Sequence, residues 1–357
     1  MSLTKSDLMF DYPEELVAVR PQKPPRVLWK QKDKAPQEIA FSDIAQVFRE
    51  GDLLVINKTQ VLPRRLFVGE FDILFLNSLD TRSWEVLFPA KKFNVGSQWN
   101  LPDGVVLTLK QKGRPQVVQT NVELTEEYFA QYGSFALPPY IQHARGERKP
   151  LAEDKQWYQT SWAEVPGSLA APTASLHFSK EDLKTLRNKI QIAEVILHVG
   201  LGTFLPITAE NLNEHEMHSE FVEIPKQTLM QIEEVKARGG RVWALGTTAL
   251  RALESYPRGH LQELTTETGA TGKTSTVVES TKEGARGFTN LFLKPGDEFL
   301  VCDGLLTNFH QPGSTLICLV SAMAGYKEVM STYEWAIENK FRLFSYGDLS
   351  IWEKESS

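Results

Sequence analysis

The sequence predicts an α/β protein with a small all-β module inserted into it, and three observations carry that expectation. Towards both ends of the chain, continuous apolar runs of strand length are followed by polar, glycine-bearing loops and then by helical patterns. From Leu66 to about Tyr132 that texture gives way to short mixed segments separated by turn signals. The third observation is the stretch Phe299–Gly325, in which an apolar run, a polar loop and a helix apolar almost all round follow one another. The expected division is residues 1–65 with 133–357 as the α/β part, and 66–132 as the β insert. A chain of 357 residues is long enough for two such units.

Composition narrows the class. Apolar and charged fractions of 41% and 24% are those of a globular protein. Two cysteines, Cys302 and Cys318, allow neither a disulfide framework nor a cysteine zinc site, which fits a reducing, cytoplasmic compartment. No signal-peptide core opens the chain, and no apolar run reaches the roughly 18 residues of a membrane span. A net charge of −6 argues against indiscriminate nucleic-acid binding while leaving room for a local basic face.

In chain order, Phe10 to Trp29 carries four prolines and reads as extended. Phe41 to Phe48 reads as a short helix capped by Ser42, and Asp52 to Asn57 as a strand buried on both faces. After the insert, Pro138-Pro139-Tyr140 and the basic stretch to Pro150 read as a helix-poor return passage. Phe178 to Asn188 is a helix capped by Ser179, Ala193 to Val199 a strand, Pro225 to Arg238 a helix stopped by Gly239-Gly240, Arg241 to Leu245 a strand, and Thr247 to Ser255 a helix. Leu261 to Gly287, rich in Thr, Glu and Gly, reads as a long loop. Phe299 to Cys302 is expected as a strand, with Ser314 capping the last helix and Gly325 stopping it.

Polar clusters beside these strands are where ligand chemistry is expected. Asp303, Thr307, Asn308, His310 and Ser314 form the first. Asn57 and Thr59 follow the Asp52 strand. Pro172, Thr173 and His177 lie in a run of small residues that lets a ligand approach the backbone. Gly200, Gly202 and Thr203 follow His198; with Pro206 and no third glycine this is not a dinucleotide fingerprint. Gly246, Thr247 and Thr248 open a helix that Thr247 or Thr248 can cap and whose free N–H groups favour an electron-rich ligand group. Arg251 and Glu254 are spaced for an ion pair on that helix. His215 and His218 lack the spacing of a zinc motif.

Taken together these segments resemble one family, the S-adenosylmethionine:tRNA ribosyltransferase-isomerases of queuosine biosynthesis. The resemblance runs through Leu137-Pro-Pro-Tyr-Ile141, Ala170-Ala-Pro-Thr-Ala174, Leu176-His-Phe178, His198-Val-Gly200 and Met217-His-Ser-Glu220. It continues through Gly246-Thr-Thr248, Thr307-Asn-Phe-His310, Ser314-Thr-Leu316 and Phe344-Ser-Tyr-Gly-Asp348. Gln60 and Arg64 depart from the usual Arg and Ala, Ser175 from a usual Gly, and Leu261 to Arg286 is longer than typical.

The resemblance implies a larger α/β domain, barrel-like with a mixed sheet, and an inserted small β-barrel. It implies transfer and isomerisation of the ribosyl part of S-adenosylmethionine onto 7-aminomethyl-7-deazaguanine at the tRNA wobble position. Epoxyqueuosine-tRNA, adenine and methionine are the implied products. S-adenosylmethionine is then a consumed substrate, no cofactor or metal is needed, and the chain is expected to be a monomer. His310 is the expected base at C5′, with Asp303 orienting the ligand or stabilising charge and His198 and His177 the main alternative bases. The other cluster residues are expected to bind substrate. The clusters Arg64-Arg65, Lys91-Lys92 and Arg145 with Arg148 and Lys149 are expected to hold tRNA phosphates. Rival readings are a metal-dependent hydrolase built on His198, His215, His218 and Asp303, and a non-catalytic RNA-binding module.

Chelation separates the first rival from the rest. Activity is expected to survive extended dialysis against EDTA; loss on chelation with recovery on adding zinc would favour the hydrolase.

Overall fold

The computed structural model describes residues 3–200, 207, 209–264 and 283–355. Strands β1 (Val27–Lys30), β2 (Gln37–Ile39) and β3 (Leu53–Asn57) come first, followed by β4 (Thr59–Val61). Six strands then pair antiparallel: β5 (Arg65–Val68), β6 (Phe71–Ser78), β7 (Ser83–Leu87), β8 (Gln98–Asn100), β9 (Val106–Gln111) and β10 (Gln116–Thr120). Helices α1 (Glu126–Tyr132), α2 (Pro139–Arg145) and α3 (Asp154–Trp157) lead to β11 (Val165–Ser168), which pairs with β4. The remainder alternates: α4 (Lys180–Leu186), β12 (Gln191–Leu197), β13 (Glu220–Pro225), α5 (Lys226–Ala237), β14 (Val242–Leu245), α6 (Thr247–Ser255), β15 (Leu261–Leu264), β16 (Gly284–Thr289) and β17 (Gly304–Asn308). Helices α7 (Thr315–Ala324) and α8 (Tyr326–Glu338) and strand β18 (Leu349–Glu353) complete it.

The described residues form a mixed ten-stranded sheet in the order β15-β16-β13-β12-β3-β14-β17-β18-β1-β2. β3 lies between β12 and β14 and is parallel to both, and β17 is parallel to β14. Every residue of β3 is buried, as its unbroken Leu-Leu-Val-Ile run requires of a strand covered on both faces. One face packs α6 and α7 through Val55, Val195, Leu250 and Ile317; the other packs α4 and the 3-10 segment Phe41–Val47 through Ile56, Leu183 and Phe48. The six antiparallel strands curl into a nearly closed barrel around a separate core of Leu66, Phe75, Trp84, Leu107, Val118 and Phe129. The mixed sheet and small barrel are the fold class expected from the sequence.

Several local expectations change. Phe299–Cys302 is not a strand; the strand begins at Gly304. The N–H groups of Leu300, Val301 and Cys302 all donate to the Glu254 carboxylate (2.9, 2.9 and 2.8 Å), so none remains for a ladder. Glu254 therefore does not pair with Arg251 but with Arg258, at 2.6 Å. The 261–287 stretch is not loop at its ends, because β15 and β16 extend the sheet beyond β13; its middle lies outside the described residues. Ala40, not Ser42, occupies the cap of the Phe41–Val47 turn. The return passage begins with a helix, α2, whose Pro139 suits a first helical position where no N–H is needed. The Phe10–Trp29 stretch includes a short 3-10 turn and most of β1. Amphipathic α8 was not anticipated. Ser179, Ser314 and Gly325 sit at helix ends as expected, Ser179 in a full capping box with Asp182.

Glu254 is fully buried and carries three backbone N–H bonds and an arginine. Glu254→Ala is expected to lower unfolding free energy by about 3–5 kcal/mol, the cost of breaking a buried charged network, with Glu254→Gln intermediate. Urea unfolding checks this; a loss under about 1 kcal/mol would show the 300–302 turn holding itself.

Candidate active site

The carboxyl ends of β3, β12, β14 and β17 open into a solvent-connected cleft, the usual place for a small-molecule site in an open α/β sheet. Its lining comes from separate parts of the chain. Thr307 and Asn308 end β17 and lead to Phe309, His310, Gln311 and Ser314; Gly246, Thr247 and Thr248 join β14 to α6. Ala170 to Ala174 and Val199 form one wall, Tyr140, Tyr158, Phe344 and Ser345 another. No Asp, Glu, Lys or Arg is among the described lining residues, and His310 is the one imidazole.

The β14–α6 junction shows how the sequence builds this floor. Gly246 has φ of +90°, which glycine adopts without a Cβ penalty, and its N–H donates to Leu306 O at 2.7 Å. The first intrahelical bond runs from Leu250 N to Gly246 O, leaving the N–H groups of the first turn without helical partners. Neither threonine caps the helix, contrary to expectation, since Gly246 holds the cap position. Thr248 Oγ1 instead accepts from Asn57 Nδ2 at 3.1 Å. Asn57 lies beneath the cleft, fully buried, and its side chain also bonds Leu197 and Thr59.

Three buried histidines lie in or near the cleft, each with its own partner. His310 Nε2 is 2.9 Å from Thr307 Oγ1, and its backbone N–H donates to Tyr333 OH at 2.9 Å. Burial pushes its pKa down to about 3. His177 ends the 3-10 turn Thr173–His177, behind Asn308, with Nε2 3.0 Å from Asn308 Nδ2. Burial, followed by the charges of Arg342 and Lys23, takes it down to about 3. His198 Nδ1 is 2.7 Å from Thr59 Oγ1 and its ring stacks on Phe221; burial takes it down to about 4. Gly167 packs so closely on that ring that a Cβ would lie 2.5 Å from Nε2. All three imidazoles are therefore neutral near pH 7.

The cleft thus gathers Pro172, Thr173, Gly246, Thr247, Thr248, Thr307, Asn308, His310 and Ser314. Asn57, Thr59, His177 and His198 stand behind it, holding lining segments. Gly200 donates its N–H to Glu220 at 2.9 Å, and Arg251 pairs with the same carboxylate while donating to Leu291 O at 3.1 Å. Gly202 and Thr203 lie outside the described residues. Asp303 is not brought to the cleft. It precedes β17, about 17 Å along the strand from Asn308, and binds Lys236 Nζ and Val242 N at 2.7 Å each. His215 packs against Phe292 and His218 is exposed, neither lining the cleft. No group of three or more His, Cys, Asp or Glu positioned for a metal occurs among the described residues.

The basic clusters also change meaning. Arg64 is buried against Trp84 and Phe129 and paired with Glu126, so it is not a surface cation. Arg65 pairs with Asp72 at 2.7 Å, and Arg145 with buried Asp154 at 2.6 Å. Only Lys91, Lys92, Arg148 and Lys149 are exposed. Tyr140, Phe309, Phe344 and Ser345 were absent from the expected site. The Tyr140 hydroxyl bonds Ser345, joining α2 to the 344–345 turn, and Phe344 has φ of +71°. Leu137-Pro-Pro-Tyr and Phe344-Ser-Tyr-Gly-Asp among the resembling segments were the available signal.

A family model described as queuosine biosynthesis protein matches residues 5–351. An S-adenosylmethionine:tRNA ribosyltransferase-isomerase from Carboxydothermus hydrogenoformans is 38% identical over 362 aligned residues, covering 96% of this chain and 98% of that one. One of the same name from Staphylococcus aureus is 36% identical, covering 96% and 97%. The crystal structure of an S-adenosylmethionine tRNA ribosyltransferase from Thermotoga maritima is similar with a TM-score of 0.52 and 27% identity, covering 97% and 99%.

The buried histidines make stability pH-dependent. Their folded pKa values lie below 6.5, so the unfolded chain binds more protons from pH 6.5 down to about 4 for His198 and about 3 for His177 and His310. Their contribution is present above pH 6.5 and is lost as pH falls through that window. Urea midpoints are expected to drop from pH 7.5 to pH 5. His177→Asn should flatten the slope by up to about 1.4 kcal/mol per pH unit; an unchanged slope would mean that His177 takes up its proton as readily in the fold as in the unfolded chain.

Proposed function

The chain belongs to the queuosine biosynthesis protein family, and on that premise we propose that it transfers and isomerises the ribosyl moiety of S-adenosylmethionine. The acceptor is 7-aminomethyl-7-deazaguanine at the tRNA wobble position, and the products are epoxyqueuosine-tRNA, adenine and methionine. The observation that carries this reading is 38% identity to a ribosyltransferase-isomerase across 96% of this chain and 98% of that relative. A neutral, polar cleft at the strand ends agrees with it.

The reaction begins with removal of a proton from C5′ beside the sulfonium, giving an ylide. Opening of the ribose ring expels adenine, which takes up a proton; the tRNA amine adds to the fragment, and closure with loss of methionine leaves the epoxide. His310 is the base in this reading. It is supported by being the imidazole that lines the cleft, and by burial that keeps it unprotonated. With Nε2 on Thr307, Nδ1 is the nitrogen left to take the proton. His198 and His177, behind the cleft walls, serve as positioning residues for the segments at Thr59 and Asn308. The N-terminus of α6 suits the methionine carboxylate, because its free N–H groups and dipole favour an anion. Thr173, Thr307, Asn308 and Ser314 offer hydroxyl and amide groups for the ribose and the bases.

S-adenosylmethionine is consumed, so the reading calls for no resident cofactor or metal. Among the described residues no helix is long and apolar enough to cross a membrane. A cytoplasmic monomer completes the proposal; its two cysteines are free and buried, as a reducing compartment allows.

Release of adenine from S-adenosylmethionine, followed chromatographically, is expected only with tRNA carrying the deazaguanine; release without it, or none with it, would refute the reading. His310→Ala should slow the single-turnover step by roughly 10²–10⁴-fold and suppress exchange of the C5′ hydrogens into solvent, with S-adenosylmethionine affinity little changed. A variant that binds poorly yet reacts normally at saturation would make His310 a binding residue.

A further inference from the structure

Phe288 projects from the large sheet 66% exposed, and among the described residues it is the one aromatic among the exposed large hydrophobics. A single exposed apolar side chain needs no explanation, but this one heads a row. The β13–β16 register sets Phe288 opposite Phe221, with ring centroids 5.7 Å apart at 71°. Phe221 in turn lies 5.6 Å from the His198 ring at 22°, and His198 N–H donates to Phe221 O at 3.0 Å. His198 meets Thr59, and the next residue, Val199, lines the cleft. Opposed residues on neighbouring strands share a face, so the row runs inward from solvent over two strand spacings, about 10 Å. Arg286, two residues before Phe288 on β16, presents a cation on that same face.

We propose that Phe288, backed by Phe221, is a stacking platform for an unpaired nucleobase of the RNA whose neighbouring nucleotide occupies the cleft. This rests on the RNA-substrate reading above and adds where the loop around the reacting base is held. Single-stranded bases stack on aromatic faces with little regard to sequence. An edge-on second ring fixes the first, so less freedom is lost when a base arrives. Arg286 suits a phosphate beside a stacked base. A protein partner would call for a contiguous apolar patch, whereas Arg286 and exposed Asn290 flank Phe288 on its own chain segment.

The test compares wild type, Phe288→Ala and Phe288→Trp in binding to substrate tRNA across a salt series, alongside tRNA-dependent adenine release. Phe288→Ala is expected to weaken tRNA binding roughly 5- to 150-fold. The slope of log Kd against log salt and S-adenosylmethionine binding should stay unchanged, and Phe288→Trp should restore affinity. Wild-type tRNA affinity in Phe288→Ala, or a loss that tryptophan does not restore, overturns the platform. A change in self-association on sedimentation, with tRNA binding intact, also overturns it and assigns the row to a second copy. If wild type releases adenine normally while Phe288→Ala is indistinguishable from it, only the platform falls. If wild type neither binds tRNA nor releases adenine, the function reading falls as well.

Discussion

The cleft depends on the Asn57 carboxamide. Parallel strands β12 and β14 flank β3, and at the carboxyl edge, where strands diverge towards different loops, their backbone groups lose ladder partners. Asn57 Oδ1 accepts from Thr59 N at 3.1 Å and Leu197 N at 3.2 Å; Nδ2 donates to Leu197 O at 2.9 Å and Thr248 Oγ1 at 3.1 Å. Two donors and two acceptor sites are all in use, so a fully buried amide leaves nothing unsatisfied. Three elements that are distant in sequence are thereby fixed relative to one another. Thr59 then holds His198, and Thr248 sets the start of α6, so the errors allowed at the cleft wall are small.

Charge is distributed to the same end. Asp52, at the opposite edge of β3, binds Arg241 and Trp243 Nε1, while Asp154 binds Arg145 and Tyr346 OH. Glu220 serves Arg251, and Glu254 serves Arg258 and the 300–302 turn. These buried carboxylates are consumed in holding the frame, each with an arginine and several hydrogen bonds, which is the condition for burying an ion. Among the described residues, the polar groups that line the cleft are all neutral. Frame and site are chemically separate, although their residues alternate along the chain.

That separation explains what the sequence could and could not disclose. β3, the Ser179 and Ser314 caps and the Gly246-Thr-Thr248 turn were legible because local rules govern them: apolar continuity, a side chain reaching its own helix, a positive φ. Asp303 was misplaced because Phe299–Cys302 has strand composition, and nothing local reveals that a glutamate 46 residues earlier takes the N–H of Leu300. Arg64, Arg65 and Arg145 looked like surface cations because adjacency in sequence carries no information about burial. Their partners Glu126, Asp72 and Asp154 lie 62, 7 and 9 residues away, in other elements. β15 and β16 read as loop because Gly284 and Gly287 and the Thr- and Glu-rich stretch between the two strands are turn and loop signals, although β16 pairs on both sides. Tyr140 and Ser345, 205 residues apart, meet only in the fold.

A neutral cleft also bears on how a buried imidazole of low pKa can act as a base. Such a pKa means that imidazolium is poorly solvated among the groups of the protein around it. In the proposed reaction the substrate enters as a sulfonium cation and its carbon acid becomes a neutral ylide as the proton leaves. Neutral base and cationic acid thus become cationic base and neutral ylide: charge is moved, not created. A low-dielectric site penalises separation of charge far more than its displacement over a short distance. Transfer from a bound sulfonium therefore costs less than protonation of the same imidazole from water. A carboxylate base would neutralise charge in the same step, but it would have to remain ionised and unpaired in the cleft between turnovers. Burial opposes that state, and every buried carboxylate noted in the frame has an arginine beside it.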